Sequence, residues 1–426
     1  MAEPGPADDP AAAFAAAMVD AGPFERAPVL AVALSGGADS TCLLLLAAAW
    51  AQAHDGQVVA LTVDHGLRAG SASEARAVGL ACAARGLRHV VLPWTGPKPS
   101  RAIQERARET RHALLEAWCR EAGVLHLLLG HHADDQAETI AMRAARSSGA
   151  HGLAGMAMVA ERRHVRLIRP LLRARAPAIR AWLTARAEPW IEDPSNRDPR
   201  FLRTQLRQAG ALAATPARDA AGRRELERML ARWLAAHATV HPEGWIEFGR
   251  AAFADLARDA ADMGALALRA AAMTVSGAIH PPRRRMLDGA VGWLTGPEDA
   301  GQGRDFAGCR LLRGRETIAV LRDPSCVRGG GVPAGRSEAI WDRRFAVALP
   351  RAAPEGLDFV AAGDRTLAAS AHRVALAALP APRSLDGGPE LSHVLCGRAS
   401  AALVSVGSAR LVFRPPRPLA GAAFAA

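Results

Sequence analysis

The first half of the chain alternates short, continuous apolar runs with longer segments of helical periodicity. The apolar runs are VLAVAL at 29–34, VVALTV at 58–63, HVVLPW at 89–94 and LHLLLG at 125–130. Uninterrupted runs of this length are typical of strands buried on both faces of a parallel sheet. The segments between them have helical length, and each ends at a glycine that can terminate a helix; they are 41–56, 71–86 and 101–123.

This alternation predicts the fold class of the first half. Successive strand, helix and strand units form right-handed crossovers, so we expect an α/β fold with a doubly wound, mostly parallel sheet. Such sheets bind their ligands beyond the carboxyl ends of the strands. We therefore expect a site that collects residues 35–40, 64–68 and 130–138. Ser71 and Glu74 have the spacing of a capping box at the start of the second helix.

The second half has a different residue pattern. Beyond about residue 210, Ala, Arg and Leu recur at helical spacing, most clearly at 223–237 and 263–275. Strand-like patterns follow at 309–314 and 317–323, and the glycine-rich stretch near 327–337 is typical of a linker. These patterns predict a helical segment and then a small C-terminal α+β region. The predicted division is an N-terminal extension at 1–24, the α/β domain at 25–212, a helical domain at 213–295 and a C-terminal region at 296–426.

The charge of the chain indicates its partner. The formal net charge is +11, and almost all of the positive charge is arginine, because Lys98 is the only lysine. The planar guanidinium group suits phosphate oxygens, so we expect a polyanionic partner, nucleic acid first. A general compositional bias toward alanine and arginine is the alternative explanation.

The cysteines and the N-terminus indicate the compartment. The six cysteines lie far apart and form no CxxC pair, which argues against a zinc site, an iron–sulfur cluster or a redox couple. The first residues are acidic where a signal peptide requires basic ones, and no apolar run approaches the roughly 18 residues of a membrane span. We expect a cytoplasmic protein that does not bind a membrane. The oligomeric state, a homodimer included, stays open.

The motif SGGADS carries the clearest chemical signal. It lies between the first predicted strand and the first predicted helix, where glycines let a phosphate approach the backbone and the amides of the first helical turn point outward. We therefore predict a pyrophosphate-binding loop. No GxxxxGK[ST] pattern is present, which excludes the usual P-loop. The predicted cradle consists of Ser35, Gly36, Gly37, Ala38, Asp39 and Ser40.

An SGGxDS motif after a first parallel strand resembles the signature of the N-type ATP-pyrophosphatases, the PP-loop superfamily with an adenine nucleotide alpha hydrolase-like fold. Within that superfamily, six further blocks resemble the tRNA(Ile)-lysidine synthetases, and they occur in that family's order. The blocks are VDHGLR at 63–68, RETRHALL at 108–115, GHHADDQAET at 130–139, GLAGM at 152–156, IRPLL at 168–172 and DPSNRDPRFLRTQLR at 193–207. Beyond about residue 210 the resemblance is looser.

The resemblance implies roles for individual residues. ATP would contact the loop and also Val63, His65 and Gly130. Asp39 would hold Mg²⁺, because this hard cation prefers carboxylate and phosphate oxygens. The remaining catalytic candidates are Asp135, Glu138, Arg111 and Arg203.

Some of these residues also have ordinary structural explanations. Acidic residues in a first helical turn stabilise the helix, and His131 and His132 either contact phosphate or pack at the end of a strand.

The resemblance also implies a reaction. ATP and Mg²⁺ would serve to adenylate O2 of the wobble cytidine of the isoleucine tRNA with a CAU anticodon, and free L-lysine would then replace the adenylate at C2. AMP and pyrophosphate would be released, and the C-terminal region would bind the tRNA. One alternative is a tRNA base thiolase of the same superfamily, which would need a cysteine pair or cluster near the site. A second alternative is a non-catalytic RNA-binding protein on the same fold.

Overall fold

The computed structural model describes most of the first three quarters of the chain and short pieces of the rest. The described residues are 8–66, 70–96, 98, 103–144, 155–192, 220–241, 243–278, 280–296, 303–327, 330–331, 338–348, 358–361, 380–382, 404–406, 409–413 and 415. They fall into two compact units that divide between Arg224 and Glu225.

The first unit contains a six-stranded sheet with helices on both faces. Its strands are β1 (Val29–Ala33), β2 (Gln57–Asp64), β3 (Arg88–Pro93), β4 (His126–Leu128), β5 (Val159–Glu161) and β6 (Arg166–Ile168). Its described helices are α1 (Pro10–Ala21), α2 (Ala38–Ala53), α3 (Ser71–Ala83), α4 (Ile103–Ala122), α5 (Ala133–Ala144) and α6 (Ala176–Thr184). The strand order is β3-β2-β1-β4-β6-β5, and only β5 pairs antiparallel to its neighbour. This confirms the predicted doubly wound, mostly parallel α/β fold.

Strand β1 shows why an uninterrupted apolar run is required at the centre of this sheet. Leu30 and Val32 point into a core shared with α1, α2 and α6, whereas Ala31 and Ala33 enter a second core on the opposite face beside α4. Successive side chains of a strand face opposite sides, so both sets must be apolar. Helix α1 lies within the predicted N-terminal extension and contributes Phe14 to the first core.

Two local expectations were wrong. Strand β3 is not buried on both faces, because it is the edge of the sheet and its outer side lacks a neighbouring strand. The predicted capping box also fails: Gly70 is the N-cap of α3, and no side chain among the described residues caps it. The Ser71 side chain instead hydrogen-bonds with the carboxylate of Asp64.

The second unit combines helices with an antiparallel sheet. Its described helices are α7 (Ala220–His237), α8 (Arg250–Asp259), α9 (Ala261–Ser276) and α10 (Arg284–Thr295). The sheet strands are β7 (Ala238–Val240), β8 (Ile246–Gly249), β9 (Gly303–Phe306), β10 (Cys309–Arg313) and β11 (Thr317–Arg322), in the order β7-β8-β11-β10-β9. Phe248, Leu268 and Leu311 meet in its core. One sheet thus unites strands from the predicted helical segment with strands that follow it.

The described elements beyond this sheet are a 3-10 turn and short strands. The turn is Pro324–Cys326, and the strands are β12 (Gly330–Gly331), β13 (Glu338–Trp341), β14 (Phe345–Ala348), β15 (Asp358–Ala361), β16 (Pro380–Pro382), β17 (Val404–Val406) and β18 (Ala409–Phe413). They form two small sheets, β12-β15-β16 and β13-β14-β18-β17. No helix in the described part of the chain is both long enough and apolar enough to cross a bilayer.

Candidate active site

The pyrophosphate-loop motif lies at the point where the strand order reverses. Strands β1 and β4 are parallel neighbours, and the chain leaves them toward opposite sides of the sheet, which opens a crevice at their carboxyl ends. Gly130, after β4, packs directly on the loop after β1. A Cβ atom at Gly130 would stand 3.2 Å from the carbonyl carbon and oxygen of Asp39 and 3.3 Å from the amide nitrogen of Ser40. The crevice therefore brings together two of the three segments predicted to form the site.

Gly36 gives the loop its shape. Its φ of +84° lies in the left-handed region, and a Cβ atom there would come within 2.8 Å of Val78 Cγ2 and 2.9 Å of Ile191 Cδ1. The carbonyl of Gly36 accepts a hydrogen bond of 2.8 Å from the amide of Ile191. The loop is thus held between α3 and the segment around residue 191.

The two serines of the loop have different surroundings. Ser40 is buried, accepts the Ser35 amide at 3.1 Å and donates to the Gly37 carbonyl at 3.0 Å. Ser35 is exposed. Among the described residues no side chain caps the N-terminus of α2 at Gly37, so the first-turn amides are available to an anion. Ser40 holds the loop closed, and its hydroxyl pairs with the hydroxyl of the exposed Ser35 at 3.1 Å.

Three carboxylates surround the buried imidazole of His132. Its Nε2 atom lies 3.6 Å from Oδ2 of Asp39 and 3.6 Å from Oδ2 of Asp135, and its Nδ1 atom lies 3.3 Å from Oδ2 of Asp134. Burial by itself lowers the pKa of His132, but these carboxylates outweigh it and raise the pKa above the ordinary value. The sequence left the role of His132 open and did not select Asp134. The sequence signal that could have found this cluster is the H-x-x-D spacing of His132 and Asp135.

Asp134 also connects the cluster to α6. Its hydrogen bond with His132 lowers the pKa of its carboxyl group, and the same carboxylate accepts the amide of Ala176 at 2.9 Å. Asp135 is held in a similar way, because its carboxylate accepts the amide of His132 at 3.2 Å, and 18 % of its side chain stays exposed. Glu138, one turn further along, is completely buried. Only Asp135 of the predicted pair can meet a ligand directly in this conformation.

Gln136 joins α5 to the GLAGM segment. Its side-chain amide donates to the carbonyl of Met156 at 3.0 Å and accepts the amide of Met156 at 2.6 Å. This reciprocal pair satisfies the backbone donor and acceptor of Met156, which lies outside any described helix or strand.

The predicted adenine side of the site lies at the end of β2. Val63 packs against the core beside α4, and His65 stacks edge-on to Trp94 with their ring centroids 6.0 Å apart. Burial lowers the pKa of His65, and the charge of Arg111 lowers it further. Because the charge of Arg111 acts on His65, the two side chains lie on the same side of the crevice. Arg68 and Arg203 lie outside the described residues.

The residues present fit a partly protein-bound Mg²⁺. Asp39, in the first turn of α2, has 41 % of its side chain exposed beside the anion cradle. No cluster of three or more His, Cys, Asp or Glu side chains that could hold a metal ion occurs in the described ranges. Mg²⁺ commonly takes one or two carboxylates and completes its shell with phosphate oxygens and water. Asp39 offers that arrangement once a phosphate occupies the loop.

The thiols near this site are unsuited to nucleophilic chemistry. Cys42 is buried, and burial, assisted by the charge of Asp39, raises its pKa to about 12. Cys82 and Cys119 are also buried. A thiol that stays protonated at neutral pH is a weak nucleophile.

Comparisons with known proteins agree with this geometry. Residues 11–211 match a family described as a PP-loop domain. The chain is 42% identical over 219 residues to a tRNA(Ile)-lysidine synthase of Bradyrhizobium diazoefficiens, covering 51% of this chain and 60% of that protein. It is 35% identical over 331 residues to the tRNA(Ile)-lysidine synthase of Ruegeria pomeroyi, covering 75% of this chain and 77% of the relative. The first of these alignments therefore spans less than two thirds of its relative, whereas the second spans more.

Among solved structures, the U34-tRNA thiolase NcsA from Methanococcus maripaludis aligns with a TM-score of 0.42 and 16% identity, covering 50% of this chain and 77% of that chain. A score this low supports no inference about fold or chemistry.

Proposed function

Because the chain belongs to the tRNA(Ile)-lysidine synthase family, we propose that it ligates free L-lysine to C2 of the wobble cytidine of the CAU-anticodon isoleucine tRNA, with release of AMP and pyrophosphate from ATP. The observation that carries the proposal is the packing of Gly130 on the backbone of Asp39 and Ser40. This contact joins an anion cradle to an acidic cluster at one crevice. Adenylation needs the anion cradle, and attack by the lysine amine needs the acidic cluster.

The first half is adenylation of the base. O2 of the cytidine attacks the α-phosphorus of ATP, the bond from that phosphorus to the oxygen bridging toward the β-phosphorus breaks, and pyrophosphate leaves. The first-turn amides of α2 and the exposed Ser35 hydroxyl donate to the departing pyrophosphate. Asp39 would hold Mg²⁺, which when bound supplies positive charge to the phosphate oxygens.

The second half is attack by the lysine amine. The ε-amine is a nucleophile only when it is neutral, although its reference pKa is about 10.4. A carboxylate at the edge of the crevice can bind the ammonium and accept its proton. Asp135 has the exposure for this role, and Glu138 would support the same helix from its buried position. The amine then bonds to C2, the C2–O2 bond breaks, and AMP leaves with O2.

The arginines would act on the negative charge of the nucleotide. Arg111 lies on the His65 side of the crevice, where a guanidinium can neutralise the α-phosphate and later the departing AMP. Arg203 is proposed for the same task from the family resemblance alone. The cytoplasmic location and the C-terminal tRNA-binding role also remain predictions.

The decisive experiment combines the purified protein with ATP, Mg²⁺, radiolabelled lysine and an isoleucine tRNA transcript that carries CAU. We expect ATP-dependent label in this RNA and none in methionine tRNA, whose anticodon is also CAU. Asp39→Asn and Asp135→Asn should abolish incorporation, whereas Asp305→Asn, an exposed acid of the second unit, should not. Absence of label, together with ATP consumption when a sulfur donor is supplied, would favour a thiolase instead.

A further inference from the structure

A second group of basic side chains lies beside the nucleotide loop. Four elements contribute to it: α4, the end of β4, the turn between β5 and β6, and the end of β6. We call it the basic basin, and its members are Arg108, Arg111, His112, His131, Arg162, Arg163 and Arg169. The charges of Arg108, Arg111 and Arg169 act on both histidines, which shows that the four elements face one another.

Acidic side chains also lie near these charges. Glu116, one turn beyond His112 on α4, faces Arg162 and Arg163, and burial raises its pKa despite their presence. On the far side, Asp64 and Lys98 lie near His65. Glu116 therefore faces two of the arginines of the basin. Concentrated positive charge of this kind attracts anions and repels metal cations.

Three buried polar atoms of the basin have no hydrogen-bond partner among the described residues. They are Nδ1 of His112, Nδ1 of His131 and Nε of Arg162. A buried polar atom left without a partner is costly, so protein interiors usually satisfy such atoms with protein, water or ligand. Here the atoms come from three separate elements, and the charges of the surrounding arginines act on both histidines. An acceptor with several oxygens would satisfy them together.

The histidines are neutral hydrogen-bond donors. Burial, assisted by the charges of the surrounding arginines, lowers the pKa of His112 to about 4 and that of His131 to about 2. A neutral imidazole with its proton on Nδ1 donates one hydrogen bond and adds no charge. The basin therefore offers two kinds of donor: guanidinium groups, which respond to salt, and imidazoles, which respond much less.

We propose that the basic basin is a phosphate-binding site in which His112 and His131 donate neutral hydrogen bonds to phosphate oxygens and Arg162 supplies a charged one. The inference rests on the proposed function for its ligand. In the proposed function the loop after β1 takes the pyrophosphate of ATP and Arg111 takes its α-phosphate, so we assign the phosphate at His112, His131 and Arg162 to the RNA backbone next to the target base. Because His131 directly follows Gly130, a phosphate held here would position the base toward that loop.

The test uses the full chain and an anticodon stem-loop RNA with CAU, with affinity measured by fluorescence anisotropy across a range of salt concentrations. Arg162→Gln should weaken binding and reduce the slope of log affinity against log salt by about 0.7–0.9, the loss of one counterion. His112→Ala should weaken binding roughly three- to ten-fold with the slope unchanged, as expected for one lost neutral hydrogen bond.

Two further variants complete the set. His112→Asn should restore affinity, because the asparagine amide nitrogen lies near the position of Nδ1. Arg258→Gln, on the exposed face of α8, should change neither affinity nor slope. Thermal unfolding of each variant identifies any that fail to fold.

Parallel titrations with ATP and with pyrophosphate distinguish the source of the phosphate. Loss of RNA affinity alone supports the RNA backbone, and loss of ATP or pyrophosphate affinity alone keeps the phosphate site but assigns it to the nucleotide. Unchanged affinity for all three ligands in folded His112→Ala and Arg162→Gln would overturn the proposal. So would RNA affinity that rises steeply in the wild type between pH 8 and 6.5 and becomes flat in His112→Ala, because the histidine would then bind as a cation.

Failure of this inference is separable from failure of the proposed function. A wild-type protein that binds the stem-loop through the basin but incorporates no lysine would refute the function and leave the phosphate site standing.

Discussion

The imidazole Nε2 of His132 lies 3.6 Å from the carboxylate Oδ2 of Asp39, although the two residues follow different strands and are far apart in the chain. The contact exists because β1 and β4 are parallel neighbours whose carboxyl ends meet at one edge. It links the loop proposed to bind pyrophosphate to the helix proposed to bind lysine. Contacts of this kind form only in the folded chain.

Replacement of His132 should change how stability depends on pH. Its folded-state pKa is raised above the ordinary value of 6.5, so its contribution to stability is complete below that value and is lost as pH rises through the folded-state pKa. Scanning calorimetry at several pH values should show that His132→Gln destabilises the protein more at pH 5.5 than at pH 9. His54→Gln, at an exposed histidine of the same unit, serves as the control. An equal loss at every pH would contradict the prediction.

Gly130→Ala should impair use of ATP. The added Cβ atom would stand about 0.1 to 0.2 Å inside ordinary contact with the backbone of Asp39 and Ser40 and would displace the loop. Misplacement of a reacting group can cost up to about 100-fold in rate. We expect kcat/KM for ATP to fall by roughly 10- to 100-fold in the lysine-incorporation assay. Gly292→Ala is the matched control, because nothing lies within 4 Å of a Cβ atom there. Similar kinetics for the two variants would show that the loop accommodates the methyl group.

Gln136→Ala should destabilise the first unit. The substitution removes both hydrogen bonds to Met156 and leaves a backbone donor and acceptor without their partner. Such a loss costs about 1–3 kcal/mol, which urea unfolding would measure. Gln52→Ala, at an exposed glutamine of α2, should change the free energy of unfolding by less than about 0.5 kcal/mol. A Gln136→Ala effect as small as the control would mean that water replaces the amide.

Asp342→Asn should destabilise the second unit strongly. The buried Asp342 carboxylate accepts Arg322 Nε at 2.9 Å and Arg344 Nε at 2.8 Å, so the change leaves two buried guanidinium groups without their shared counterion. Burial already lowers the pKa of Arg344 to about 10. Loss of one partner of a buried pair typically costs about 3–5 kcal/mol.

The control for this prediction is Asp305→Asn, which removes the exposed partner of Arg310. A surface ion pair contributes at most about 1 kcal/mol. Calorimetry that gave the two variants the same transition temperature would contradict the prediction.

The amino-acid sequence was sufficient to predict the first four strands of the sheet, the helices between them and the loop after the first strand. Apolar runs such as 29–34 identify strands because a central strand must be apolar on both faces, and SGGADS identifies the anion cradle because backbone conformation and helix start are local properties. The pattern could not show that β3 is an edge strand, since edge and centre differ only in the presence of a neighbour. The pattern also failed to predict that Ser71 bonds with Asp64 and does not cap its own helix. The serine hydroxyl can bond either to its own helix or to Asp64, and only the tertiary structure decides between them.

The arrangement of side chains around the site depended on the tertiary structure. Spacing along α5 treats Asp135 and Glu138 as equivalent, but the packing of that helix leaves the first at the crevice and buries the second completely. His112 and Arg162 are far apart in the chain, and the strand order brings α4 and the β5–β6 turn together. Burial and the distances between charges set the pKa values of the site and determine which hydrogen-bonding positions are available. Both arise from contacts between residues that are distant in the chain. The sequence therefore predicted the chemistry of the loop, whereas the fold determined the electrostatics of the site.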